Sequence, residues 1–403
     1  MRLMRVLRLL AVLVAIAGLA LVTRPYVHGL SFVIRAADMQ GSLRRAADFD
    51  VVASSQREIS IPTRRGSMRG RVYDPDGAAR RTVLLTSGLH VSGIDEPRLV
   101  KLARDLAGSR LRVVTPDIPE LASFNITPAI TDAIEQSARW LATDSGLAVG
   151  STVGMMGISF SGGLSIVAAG RASLADRVAY VFAFGGHDDL PRVLRYLCTG
   201  QEPYPPGQIH LKPASDGAGA AGDAPFTRPP HDYGVAVILL GVADRVVPVA
   251  QVEGLRTAVR DYLQASALDG GVDRAAAPAA FDRVRAEAAA LPEPSKTLAT
   301  YVVNRDVIHL GARLLPFVRA LSSDPALSPS KSPKPTAPVF LLHGSDDNVI
   351  PSIESEYLFD DLSGRTHVRL LLSGLISHAE ADRPVHTTDV LKLAGFWGDL
   401  LAR

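Results

Sequence analysis

From residue 82 onward, short uninterrupted apolar runs alternate with amphipathic helical stretches, and that alternation narrows the fold to a mostly parallel sheet covered by helices. The run Thr82–Thr86 (TVLLT) has no polar face, as a strand buried on both sides requires. Asp95–Ala107 follows with Leu99, Leu102, Ala103 and Leu106 at helical spacing. The pattern continues with strand Leu111–Thr115, helix Pro128–Leu141, strand Thr152–Ile158, a helix from Gly162 and strand Val178–Phe184. Two extended stretches precede it, Arg57–Pro62 and Met68–Asp74, with Arg65-Gly66 as the turn between them. The alternation breaks over residues 188–336, which read as a helical cap insertion closed by the linker SPSKSPKPTAP, a composition that favours extended coil. It resumes with strand Pro338–His343, helix Ser352–Leu362, strand His367–Leu372 and helix Thr387–Leu401. A core in two parts, 57–187 and 337–403, is the organisation these signals predict.

The N-terminus is built differently. Arg2, Arg5 and Arg8 precede an uncharged stretch, Leu9–Thr23, which Arg24 and Pro25 close. The stretch is short for a span, which takes about 20 apolar residues, but arginines at both ends can snorkel to the headgroups. Its small-x-small site, Ala15-Ile16-Ala17, lies inside the apolar run rather than after it, which favours an uncleaved transmembrane anchor over a cleaved signal segment. Residues 1–25 are therefore assigned as anchor or signal and 26–56 as an amphipathic juxtamembrane segment. The leading arginines put the N-terminus in the cytoplasm and the main domain in an extracytoplasmic (periplasmic or extracellular) space.

Composition removes other classes. With 43 basic and 41 acidic residues the net charge is +2, and no basic block beyond the extreme N-terminus suggests nucleic acid as a partner. Cys198 is the sole cysteine, so neither an intramolecular disulfide nor a multi-cysteine metal site can form.

The chemistry concentrates in VGMMGISFSGG, residues 153–163. An apolar strand runs into Gly157-Ile158-Ser159-Phe160-Ser161, and a helix rich in small residues follows. A nucleophile held between strand and helix occupies a strained turn, so the residues two before and two after it must be small. Gly157 and Ser161 meet that demand around Ser159; a frame shifted by two would make Ser161 the central residue. An acid is expected next, after the late strand PVFLLH, where Gly344-Ser345-Asp346-Asp347 offers Asp347, with Asp346 as a turn or capping residue. A histidine should follow the last strand, and His378, in Gly374-Leu375-Ile376-Ser377-His378, stands there. His386, its neighbour, suits the start of the final helix. Two backbone N–H groups are needed for an oxyanion, and Phe160 and Leu89 (in Ser87-Gly88-Leu89-His90) are the candidates. His90 and His187 are candidate pocket residues, though Asp188 or Asp189 beside His187 also reads as a helix cap.

These residues together resemble the α/β-hydrolase superfamily over about 57–187 and 337–403, with Ser161 in place of the usual last glycine of the elbow and Ser87 where the family commonly has histidine. The resemblance implies an α/β fold with a mostly parallel, doubly wound sheet of the α/β-hydrolase type and a cap insertion. It also implies serine hydrolysis of a carboxylic ester or thioester through an acyl-enzyme, with a small-molecule acyl substrate and no metal or organic cofactor. The alternatives are a peptidase or amidase on the same three residues, or a catalytically silent hydrolase-fold binding module. Two motifs read as decoys. Gly217–Gly222 matches G-x-G-x-x-G but follows no strand, and Asp244 imitates the acid after Val235–Leu240 with no histidine loop behind it.

Overall fold

Eight strands form one sheet in the spatial order β1-β2-β4-β3-β5-β6-β9-β10. They are β1 (Ser54–Thr63), β2 (Gly66–Pro75), β3 (Arg81–Thr86), β4 (Leu111–Pro116), β5 (Val153–Ile158), β6 (Val178–Phe184), β9 (Val339–Gly344) and β10 (Val368–Ser373). The short β7 (Gln201–Glu202) and β8 (Phe226–Thr227) pair with each other apart from it. The computed structural model describes residues 18, 22–64, 66–202, 226–271, 273–376 and 387–403. Within the eight-stranded sheet β2 runs against its neighbours, β1 and β4, and every other pairing there is parallel. The continuous apolar runs thus become interior strands, and the expected bounds hold to within a few residues.

Each face of the sheet has its own core. On one side Val83, Leu85, Phe182 and Phe340 meet the helices Pro97–Gly108 and Thr387–Leu401. On the other, Leu84, Met155 and Val181 meet the helices Ala129–Thr143 and Phe160–Ala169. The latter core runs on without a break into the insertion between β6 and β9, whose helix Asp232–Val246 is buried from Gly234 through Leu240. That helix contains the apolar run Val235–Leu240 that precedes the decoy Asp244, so no strand leads into that aspartate. Asp244 lies in its last turn, exposed and 3.7 Å from Arg256.

The linker departs from an extended coil. It folds into a 3-10 turn at Pro329–Lys331, directly after another at Pro325–Leu327, and its first residue, Ser328, is buried, its Oγ accepting from the Leu190 N–H at 3.0 Å. Prolines there satisfy the turns' fixed φ, and the serine takes up an otherwise orphaned helix donor.

The segment 26–56, expected to be juxtamembrane, packs on the body of the fold. A helix over 22–36 packs on the first core face through Phe32, and its Ser31 Oγ donates to the carbonyl of Ala47, at the end of the helical turn Ser42–Ala47, at 2.6 Å. Phe32 is 0% exposed with its ring 4.2 Å from that of Trp397. Burying a phenylalanine so completely contributes about 2–3 kcal/mol. Arg35, also buried, donates to the Asp105 carbonyl (3.2 Å) and to Ser109 Oγ (2.7 Å), which satisfies a charge that would otherwise be costly to desolvate. No helix among the described residues is long and apolar enough to cross a membrane. Residues 1–17 and 19–21 of the expected anchor lie outside the described residues, as does the Gly217–Gly222 motif.

Candidate active site

The chain reverses its direction of travel across the sheet between β3 and β5: β4 lies on one side of β3, while β5 and β6 lie on the other. At such a switch point the loops leaving neighbouring strands diverge and open a crevice at the carboxyl ends. The loops after β3 and β5 carry Leu89 and Ser159.

Ser159 has φ 55° and ψ −127°, a backbone conformation that favours glycine, and it is half-buried. Holding a serine there stores about 1–3 kcal/mol, so the surroundings must impose it. They do so from both sides. The Ser159 N–H donates to the Phe184 carbonyl at 2.6 Å, and the Ser159 carbonyl accepts from the Gly162 N–H at 2.8 Å. A Cβ on Gly157 would strike the Ser161 carbonyl and come within 2.6 Å of Ser165 Oγ, so the tight return of the helix onto the strand requires glycine at that position.

Ser161 is fully buried and plays a different part. Its Oγ accepts from the Ile158 N–H at 3.0 Å, and its O–H points at the Thr86 and Ile158 carbonyls, 3.0 and 2.9 Å away. The hydroxyl cross-links β3 to the elbow, which explains why a serine can stand where a glycine is usual. Ser159, by contrast, turns toward the β3 loop: a Cβ on Gly88 would lie 3.3 Å from Ser159 Cβ and 4.0 Å from its Oγ. The Phe160 N–H is the first of the helix and lacks a helical acceptor, as does every N–H in a first turn.

Asp347 is 1% exposed at the end of β9, whereas Asp346 faces solvent. Its Oδ1 accepts from the Val349 N–H (2.8 Å) and the Ile350 N–H (3.0 Å), which fixes the carboxylate against its own turn. Oδ2 lies 3.3 Å from His343 Nε2. His343 is not available to Ser159, because its ring is buried between Ser355 Oγ (2.6 Å from Nδ1) and the Ile350 carbonyl (2.9 Å from Nε2). The N-cap position of the helix after this turn is Ser352, six residues beyond Asp346, and its side chain makes no cap bond. His378 and His386 lie outside the described residues. Ile376, the last described residue before them, lies against the end of β9: a Cβ on Gly344 would strike its carbonyl.

Of the two candidate pocket histidines, His90 sits half-buried in the β3 loop, its Nδ1 accepting from the Ser92 N–H at 3.2 Å. Burial holds its pKa below the ordinary value against the charge of Glu96. His187 is fully buried. It donates from Nε2 to the Leu327 carbonyl (2.8 Å) and stacks on Phe160 with ring centres 5.1 Å apart. It therefore backs the elbow from within, and burial depresses its pKa. Asp189, not Asp188, caps the following helix through the Arg192 N–H at 2.9 Å. Burial pushes the Cys198 thiol up to about 12, which leaves it unreactive.

Four residues around the site escaped sequence reasoning: His343, Tyr196, Arg228 and Tyr233. His343 is tied to its own turn, whereas the signal of the other three lies in hydrogen bonds to loop carbonyls far away in sequence. Tyr196 donates to the Asn348 carbonyl at 3.3 Å, and Arg228 to the carbonyls of Ser345 and Asp347, both at 3.2 Å. Tyr233 donates to the Leu89 carbonyl at 2.6 Å.

An eight-stranded, mostly parallel sheet with an antiparallel second strand, and a serine at positive φ between the fifth strand and its helix, define the class: the chain has the α/β-hydrolase fold. No protein-family profile and no curated sequence matches it. Among solved structures it is similar to an esterase from Pyrobaculum calidifontis, at 15% identity over 94% of this chain and 90% of that chain with a TM-score of 0.43. It is also similar to a thermostable carboxylesterase cloned from a metagenomic library, at 14% identity over 88% and 90% with a TM-score of 0.43. An acylaminoacyl peptidase bound to a chloromethyl ketone matches at 11% identity over 87% of this chain and 42% of that one, with a TM-score of 0.45.

Proposed function

We propose that the chain is a serine hydrolase that cleaves a carboxylic ester or thioester through an acyl-enzyme, with Ser159 as nucleophile, Asp347 as acid and His378 as base. The observation that carries this reading is the Ser159 backbone: an L-residue is held at φ 55° at the tip of a central strand while its neighbour Ser161 is locked in hydrogen bonds. In the mechanism, His378 takes the Ser159 proton as Oγ attacks the acyl carbon, and Asp347 orients and stabilises the imidazolium. The Phe160 and Leu89 N–H groups receive the oxyanion. His378 then protonates the leaving alcohol or thiol, and a water, deprotonated by the same histidine, releases the acid. Rapid mixing with p-nitrophenyl esters of graded chain length tests the route. A burst of p-nitrophenolate that approaches one equivalent of enzyme is expected wherever deacylation is slow, with faster turnover of esters than of the matching p-nitroanilides. Preferential cleavage of anilides would make it an amidase, and no turnover of either would leave a binding module.

In the same reading residues 1–24 hold the chain in a membrane with the hydrolase outside the cytoplasm. Support comes from Arg2, Arg5 and Arg8 ahead of the uncharged run. Intact-mass analysis should find the N-terminal segment retained, and protease added to spheroplasts should digest the hydrolase without lysis. A mature chain beginning at or beyond Gly18, or a domain protected until lysis, would contradict it.

A further inference from the structure

We propose that the cap stretch Arg228–Tyr233 is a positioning strap, which holds the oxyanion loop after β3 and the acid loop after β9 in fixed register across Ser159. The inference rests on the assignment of Ser159 and Asp347 made above. Within six consecutive residues the stretch touches both loops. At one end the Arg228 guanidinium donates from one nitrogen to the carbonyls of Ser345 and Asp347, both at 3.2 Å. In the middle the His231 N–H donates to the Asn348 carbonyl at 2.9 Å. At the other end the Tyr233 hydroxyl donates to the Leu89 carbonyl at 2.6 Å.

The strap is itself braced. The Arg228 N–H donates to the Gly200 carbonyl at 2.9 Å, and its Nε lies 3.4 Å from Glu202 Oε1, a carboxyl that burial pushes up to about 7. The Tyr233 N–H is capped by His231 Nδ1 at 3.2 Å, and Asp232 pairs with Arg305 at 3.2 Å. The Tyr233 ring packs edge-on against Phe124 at 5.8 Å. Tyr233 opens the cap's buried helix, so its hydroxyl is fixed by a rigid element.

The physical consequence follows from which bonds rotate. Leu89 comes after Gly88, a residue without a Cβ to limit the loop, and its N–H must point at an oxyanion that exists only in the transition state. Anchoring the Leu89 carbonyl removes rotation on the far side of that residue. Arg228 does the same for the backbone of Asp347, whose carboxylate is already bonded to its own turn. Binding of a short ester needs neither constraint; attack by Ser159 needs both. Loss of the strap should therefore lower kcat and leave KM nearly unchanged.

The test uses full-length protein, p-nitrophenyl acetate as a substrate too short to reach far into the cap, and an alkyl trifluoromethyl ketone as an oxyanion mimic. Y233F removes one oxygen and should reduce kcat about 10- to 100-fold, with KM within twofold and the ketone's affinity falling in proportion to kcat/KM. R228A should also lower kcat, and R228K, which restores a single donor, should recover part of the loss. If Y233F does not fold, judged by its circular dichroism and melting, the R228A and R228K pair decides the matter. Wild-type protein that takes no fluorophosphonate at Ser159 would remove the underlying assignment. Wild type that is labelled, with Y233F, R228A and R228K all retaining kcat and ketone affinity within twofold, would remove the strap alone.

Discussion

Replacement of Ser159 by alanine is expected to lower ester turnover by about 10⁴-fold or more. The proposed acyl-transfer route depends on that oxygen, and the buried Cys198 thiol, whose pKa burial raises, is a poor substitute for it. Ser161→Ala should behave oppositely. It leaves the nucleophile in place but strips the Ile158 N–H of its acceptor, so the loss should appear as stability, about 1–3 kcal/mol, with much of the activity retained. A third variant separates strain from chemistry. Ser159→Gly should be as inactive as alanine yet melt higher, because glycine adopts φ 55° at little penalty and alanine does not; the difference should be about 1 kcal/mol. Steady-state assays and thermal melts of the three variants check the set. Turnover that survives in Ser159→Ala and disappears in Ser161→Ala would move the nucleophile by two residues.

Asp347→Asn should lower turnover by about 10⁴-fold while the fold is preserved. The amide oxygen can still accept from the Val349 and Ile350 N–H groups that hold the turn, so what disappears is the negative charge. In the proposed mechanism His378 would then lose both its preferred tautomer and the partner that stabilises its charged form. Asp346→Asn and Asp244→Asn should stay within a few-fold of wild type, since Asp346 faces solvent and Asp244 lies on a cap helix beside Arg256. Kinetics of the three variants, with melting curves alongside, check the ranking. A loss at Asp244 as large as that at Asp347 would overturn the choice of acid.

What could be read in the sequence depended on whether a feature is local. Strands buried on both faces show as apolar runs, so Thr82–Thr86 and Val178–Phe184 declared themselves. The elbow was equally legible, because the clash a Cβ would make at Gly157 is a matter of residues within one turn. Arg35 was less legible for the opposite reason. Beside other arginines it read as part of a juxtamembrane segment, and its burial against Asp105 and Ser109, some seventy residues away, could not be read from local sequence. The proline-rich linker misled because composition reports the freedom of a chain in isolation, and Ser328 exchanges that freedom for a bond to the Leu190 N–H. Arg228 and Tyr233 were invisible for a related reason. Their partners are backbone carbonyls, which every residue has, in loops more than a hundred positions distant.

The central claim is that Ser159 is the reacting nucleophile, and the most direct measurement is the site of a covalent adduct. Protein treated with a fluorophosphonate, digested and sequenced by tandem mass spectrometry, should carry one phosphonyl group per chain on the Ser159 oxygen of the Gly157-Ile158-Ser159-Phe160-Ser161 peptide, and heat-denatured protein should carry none. A group found instead on Ser161 or on a serine outside the elbow, or native protein that takes up no label, would contradict it.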